Sequence, residues 1–268
     1  MNSTETMGFA ASILIGVSLG LIGGGGSILT LPVLVYLLHI SPVISTAYSL
    51  FIVGTTSLVG SASFMKKKLV NYRAALVFAI PSFTTVFLTR KYLVPAIPDP
   101  LFNITGLEIS KNVGIMVFFA LIMLAASYSM IKSKKDEKEE DTDELKFNYP
   151  MIALEGGLVG ILTGIVGAGG GFLIIPALVL FARLPMKMAV GTSLLIIAAK
   201  SLIGFLGDLS NIQVDWAFLL PFTALSVIGI FLGTYLSKFI SGEKLKKSFG
   251  WFVLVMGIYI ITKEVFFK

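Results

Sequence analysis

Long apolar runs, separated by short polar or glycine-rich interruptions, set the pattern of this chain. Met7 to Ile22 is apolar, Gly23 to Gly26 interrupts it, and Ile28 to Leu38 resumes it. Both pieces fall short of the roughly 20 residues that carry a helix across a bilayer. Together they predict a helical hairpin, or two short helices, meeting at the glycines. Further apolar runs follow at Val43 to Met65, Ala74 to Leu88 and Val113 to Ile131. The stretch from Arg90 to Lys111 contains Pro95, Pro98 and Pro100 and reads as a loop too polar to span. No run alternates polar with apolar positions, so the spans are expected to be helices rather than barrel strands.

The same order then recurs. Met151 to Val166 leads to a second small-residue break, followed by Phe172 to Ala182, Met188 to Leu206, Trp216 to Leu236 and Phe249 to Thr262. A shift of 144 positions lays Gly20–Ser82 on Gly164–Ser226 without a gap. Identities include Gly23/Gly167, Gly25/Gly169, Gly26/Gly170, Pro32/Pro176, Ser49/Ser193, Leu50/Leu194, Ser57/Ser201 and Gly60/Gly204. Biased apolar composition gives scattered matches, but not one register that shares glycines, a proline and serines. The chain reads as an internal duplication, with repeats at 1–131 and 149–268 joined by a charged linker at 132–148. Five lysines and seven acids lie between Lys132 and Lys146, as expected of a solvated connection rather than a docking segment.

Composition narrows the class. Of 268 residues, 56% are hydrophobic and 13% charged, with a mean hydropathy of +0.91. A soluble chain of this size could not hide so much apolar surface, so an all-α integral membrane protein is expected. The net charge of +6 does not require nucleic acid, because lysines and arginines concentrate in loops that remain in the cytoplasm. Those loops also orient the repeats. Lys66, Lys67, Lys68 and Arg73 follow the second element of the first half, whereas the matching Asp208–Asp215 loop has two acids and no base. The preceding loop reverses the bias, with His39-Ile-Ser-Pro42 against Arg183-Leu-Pro-Met-Lys187. Opposite signals in equivalent loops are the mark of an inverted pair. With the Lys66–Arg73 loop inside, fifteen of the 21 lysines and arginines fall on the cytoplasmic side of a multi-pass cell-membrane protein. This count needs an odd number of crossings per half, met by a glycine-broken hairpin plus three transmembrane helices or by five helices. Both termini then lie outside. Residues 1–7 carry no base, so the first helix is expected to be retained rather than cleaved as a signal.

Candidate chemistry gathers at the breaks. Helix N-termini present unpaired N–H groups and a partial positive charge, and glycine lets an anion approach them. Gly24, Gly25, Gly26 and Ser27 in one copy, with Ala168, Gly169, Gly170 and Gly171 in the other, are therefore candidate substrate contacts. The alternative is that these glycines only allow close helix packing. Lys200 is the one base deep within a predicted span, either an anion counter-charge or a lysine that snorkels to a surface or pairs structurally with Asp208 or Glu155. Ser49 and Ser193, equivalent across the repeat, offer hydroxyl donors, unless they bond back to their own helices. Glu155, His39 and Asp208 are candidates for ion coupling, although each falls near a predicted interface. The chain has no cysteine, one histidine and no Walker-type loop, so no metal, cofactor or ATP is implied.

With the two glycine–proline segments, Ala189-Val-Gly-Thr-Ser-Leu194, Gly204-Phe-Leu-Gly207 and Val214-Asp-Trp216 in view, the chain resembles the sulfite exporter TauE/SafE family over nearly its whole length. The resemblance implies a membrane transporter of small sulfur-containing anions such as sulfite, sulfoacetate and related sulfonates, in contact with the lipid bilayer and acting as an exporter. Tyr48-Ser49-Leu50 departs from the Gly191-Thr192-Ser193 form of the second copy, so the two sites need not bind alike. On the residues alone, alternating access by an anion carrier stands first, a passive anion channel second. A membrane-embedded enzyme lacks clustered acids, histidines or a nucleophile near the breaks. A structural membrane protein has little reason to keep two matched breaks. An oligomer is compatible with all of these.

Overall fold

The computed structural model describes residues 3–104, 107–132, 149–167, 169–180, 182, 184–240 and 242–266. The charged linker at 133–148, Ala168 and Arg183 lie outside the described residues. Helices account for almost all of the described chain: α1 Ser3–Ile22, α2 Ser27–Pro32, α3 Pro42–Lys66, α4 Tyr72–Leu88, α5 Val94–Ala96 and α6 Lys111–Lys132, then α7 Tyr149–Val166, α8 Gly171–Leu180, α9 Met186–Asp208, α10 Trp216–Leu236 and α11 Gly242–Phe266. Five segments are long and apolar enough to cross a membrane: Pro42–Lys66, Tyr72–Ala96, Lys111–Tyr128, Met186–Asp208 and Trp216–Leu236. Thr6–Ile22, Ser27–Leu37 and Pro150–Val166 are apolar but shorter.

The expectation of a plain loop from Arg90 onward needs correction. α4 does not stop at Leu88; it runs through a π-helical turn, Thr89–Leu93, into α5. Arg90 is therefore fully buried rather than solvated. The rest of the stretch is not wholly irregular either, for β1 Phe102–Ile104 pairs antiparallel with β2 Leu107–Ile109. This small hairpin is the one exception to an all-helical chain among the described residues.

α3 and α9 form the buried centre. They correspond under the 144-residue shift and run antiparallel: Leu50 lies beside Gly204, Leu202 beside Gly54, Leu194 beside Gly60 and Phe64 beside Gly191. Around them, the first helix of each half packs on the fourth helix of the other, α1 on α10 and α7 on α4. The contacts correspond residue for residue. A Cβ on Gly16 would strike the Ser226 carbonyl, and one on Gly160 would approach the equivalent Ser82 carbonyl. A Cβ on Gly20 would strike the Ile230 carbonyl, whereas one on Gly164 would meet the Thr89 side chain first and the equivalent Val86 carbonyl at 3.4 Å. Glycine at these positions lets the paired helices approach closely, at Gly16 and Gly20 onto backbone and at Gly160 and Gly164 also onto the side chains of Thr85 and Thr89. Leu14, Leu76, Ile80, Leu158, Leu220 and Phe231 remain exposed on the outer faces, as lipid-facing positions require.

Candidate functional site

The two breaks are built around left-handed glycines. Gly23 (φ 71°) ends α1 and its equivalent Gly167 (φ 69°) ends α7, as glycine commonly does at a helix C-terminus. The Gly167 N–H closes α7 by donating to the Thr163 carbonyl at 2.7 Å. Beyond this point the copies diverge. Gly24–Gly26 forms a single 3-10 turn leading into α2, and Gly26 keeps a right-handed φ of −68°. Gly169 and Gly170 instead take φ of 65° and 67°, which residues with a Cβ rarely adopt.

Each break turns the chain back on itself. A Cβ on Gly26 would run into Ser18 and Leu19 of α1, and one on Gly170 into Thr163 of α7. At the open end of the first hairpin, Leu38 packs where a side chain on Gly8 would project. The two tips then meet. Gly24 and Gly171 face each other so closely that a Cβ on either would overlap the other's Cα, with Ile197 beside both. Gly169 completes the junction against Val53 and Ser27.

Lys200 reaches this junction from α9. Its side chain is fully buried, and its ammonium donates to Thr163 Oγ1 at 2.8 Å. A Cβ on Gly170 would sit 2.6 Å from Nζ, so the ammonium rests on the bare face of the second break. No carboxylate pairs with it among the described residues. Thr163 Oγ1 donates onward to the Val159 carbonyl at 2.7 Å, leaving its oxygen lone pair for Lys200.

The serines divide. Ser27 Oγ donates to the Gly24 carbonyl at 2.7 Å and Ser193 Oγ to the Val190 carbonyl at 2.8 Å, so both bond back within their own segments. Ser193 nevertheless lies against the first break, 3.1 Å from where a Gly23 Cβ would stand. Ser49, Thr56, Ser57 and Ser201 are buried on α3 and α9 with hydroxyls that have no hydrogen-bond partner among the described residues. Thr56 is the position equivalent to Lys200.

Of the coupling candidates, Asp208 is not free. Arg90 Nε donates to both of its oxygens at 2.9 and 2.7 Å, and Nη2 approaches Oδ2 at 2.6 Å. Nη1 of the same arginine donates to Thr46 Oγ1 at 3.0 Å and to the Gly164 carbonyl at 3.1 Å. This cluster ties α3, α7 and α9 to the end of α4. His39 is exposed in a left-handed turn (φ 54°) after the first hairpin, away from the breaks. Glu155 is half-buried early in α7, without an ion-pair partner among the described residues. Arg90 was missed as a site residue because it adjoins Lys91 in a run that reads as polar loop. The available signal was charge complementarity, since Arg90 and Asp208 close two apolar runs that the loop pattern puts at the same membrane face.

A profile described as Sulfite exporter TauE/SafE matches residues 8–260. This chain belongs to the sulfite exporter TauE/SafE family. Similar chains cover it almost fully. A probable membrane transporter protein of Xylella fastidiosa (strain 9a5c) is 30% identical over 258 residues, 94% of this chain and 92% of its own length. Probable membrane transporter protein YunE of Bacillus subtilis (strain 168) is 26% identical over 287 residues, 97% of this chain and all of its own. A probable membrane transporter protein of Haemophilus influenzae (strain ATCC 51907 / DSM 11121 / KW20 / Rd) is 28% identical over 276 residues, 93% of this chain and 95% of its own. No solved structure matches this TauE/SafE chain.

Proposed function

We propose that this chain is a secondary transporter that exports a small sulfur oxyanion or organosulfonate, such as sulfite or sulfoacetate, across the cell membrane. The observation that carries this reading is Lys200. A buried ammonium at a helix centre costs about 2.5–3.5 kcal/mol on insertion scales, so such a group calls for a role or a partner. Here it stands on the Gly170 face of the hairpin junction with a hydroxyl but, among the described residues, no carboxylate for company. An anion entering between the breaks would supply the missing charge. The start of α8, the Lys200 ammonium and the partnerless hydroxyls of Ser49, Thr56, Ser57 and Ser201 are its candidate donors. Gly24, Gly25, Gly26, Ser27, Ala168, Gly169, Gly171 and Ser193 complete the proposed set around the junction.

The antiparallel course of α3 and α9 supports an inverted-topology pair, each repeat a re-entrant hairpin followed by three crossings. With the Lys66–Arg73 loop in the cytoplasm, both termini face outward. The tips touch at Gly24 and Gly171, so the passage is closed at its centre and substrate movement requires the hairpins to part. In proteoliposomes, saturable and gradient-coupled flux of sulfite, thiosulfate, sulfoacetate or taurine is the expected result, and Lys200→Ala should weaken apparent affinity about tenfold or more. Flux of none of these anions, or an affinity unchanged by Lys200→Ala, would remove the site. Non-saturating flux would make the protein a channel.

A further inference from the structure

One end of the molecule holds a cavity of about 260 Å³ that the hairpin junction does not use. Lys67, Lys187 and Lys238 line it as exposed residues, while Leu21 and Val190 line its deeper part. Val190 is the residue packed on Gly23, 3.0 Å from where a Cβ there would stand, so the cavity reaches the edge of the first break. The three lysines come from separate segments: the end of α3, the start of α9 and the chain just past α10. No carboxylate lines the cavity, and none of the three ammonium groups forms an ion pair among the described residues. Lys67 lies over the Phe64 ring at 5.6 Å and Lys238 over the Tyr235 ring at 5.2 Å, which holds both side chains near its rim.

The opposite end differs. There Arg90 and Asp208 form the buried ion pair, and the 144-residue shift places Thr234 and Phe64 at their equivalent positions. Phe64 lines the lysine cavity, and Ser237, also in its lining, donates to the Thr234 carbonyl at 2.9 Å. The duplication thus carries an internal charge pair at one end and, at the other, an open basic cavity with no carboxylate in its lining among the described residues. Like charges drawn together in a cleft with apolar walls focus the field and raise the local concentration of anions.

We infer that this cavity is an oxyanion-loading site, distinct from the Lys200 position, that takes a tetrahedral or sulfonate-type anion before it passes Gly23. Its use in transport depends on the reading of the breaks given above; its occupancy by an anion does not. The same chemistry fits a soluble sulfate-like ion and the phosphate of a lipid headgroup.

The absence of cysteine allows a direct test. The full chain carrying Ser237→Cys, or Ile240→Cys as a second reporter, is placed in phosphatidylcholine nanodiscs. It is then modified with a sulfonate-bearing or a trimethylammonium-bearing methanethiosulfonate reagent. Relative to a free thiol, the sulfonate reagent should be favoured about tenfold, and combined Lys67→Gln, Lys187→Gln and Lys238→Gln should abolish that preference. Sulfate, added at constant ionic strength, should slow the reaction if the occupant is a soluble ion. Slowing by phosphatidylglycerol but not by sulfate would identify a headgroup as the occupant of the same oxyanion site. Equal preference for both reagents, unaltered by the lysine substitutions, would overturn the inference. Because no flux is measured, a chain that transports nothing can still pass this test, and a working transporter can still fail it.

Discussion

Two buried cations, Lys200 and Arg90, differ in how their charge is met. Arg90 spends its donors on Asp208, Thr46 and the Gly164 carbonyl, so its charge is internal to the fold. Lys200 meets a threonine hydroxyl and a glycine face, with no carboxylate paired to it among the described residues. Removing either partner of the first pair strands the other without water. Arg90→Ala or Asp208→Ala should each cost about 3–5 kcal/mol, seen as a large loss of thermal stability in detergent. Arg90→Met with Asp208→Leu should recover much of that loss, because no charge remains buried. Lys200→Met should behave oppositely, leaving stability unchanged or raised while anion affinity falls. A collapse of stability in Lys200→Met would return that lysine to a structural role.

At the scale of elements, each hairpin depends on glycine for a different reason at each position. Gly24 and Gly171 need the absence of a Cβ because the partner backbone occupies its place. Gly170 needs it twice, for its left-handed φ and for the room taken by Thr163 and Lys200. Gly24→Ala or Gly171→Ala should therefore force the tips apart and abolish saturable flux. Gly157→Ala, in the body of α7 with only van der Waals neighbours at 4.0 Å, should leave flux intact. Much of this arrangement was legible in the sequence. The glycine runs interrupt apolar pieces too short to cross, and one gap-free register carries the first hairpin onto the second. The contact between tips was not legible, because it joins Gly24 to Gly171, positions that are not equivalent under that register. Nor was the extension of α4. Thr89-Arg90-Lys91 reads as the polar end of a span, and only a carboxylate 118 positions away makes its burial tolerable. Ser27 and Ser193 show the converse limit, since sequence supplies a hydroxyl but not the carbonyl that claims it.

For the whole molecule, the two sequence halves are not two bodies. α1 lies on α10 and α7 on α4, so each half is held by a helix of the other. A protease site placed in the 133–148 linker should accordingly be cut without releasing the fragments, which should co-elute in mild detergent and retain flux. Separation of the fragments would contradict the packing. Because of the same exchange, rocking one sequence half against the other would have to break both the α1–α10 and the α7–α4 contacts. It also gives the equivalent helices unequal histories during synthesis. When α7 emerges, the groove of α4 that receives Gly156, Gly160 and Gly164 has already been made. α1 is made before the other helices described, yet the backbone that fills its Gly16 and Gly20 face belongs to residues 226–234 of α10. The first hairpin must wait until residues 226–234 have been made before it can seat. A premature stop just before α10 should thus expose Gly16, which a Gly16→Cys reporter would register by its labelling, although every residue of the first repeat is present.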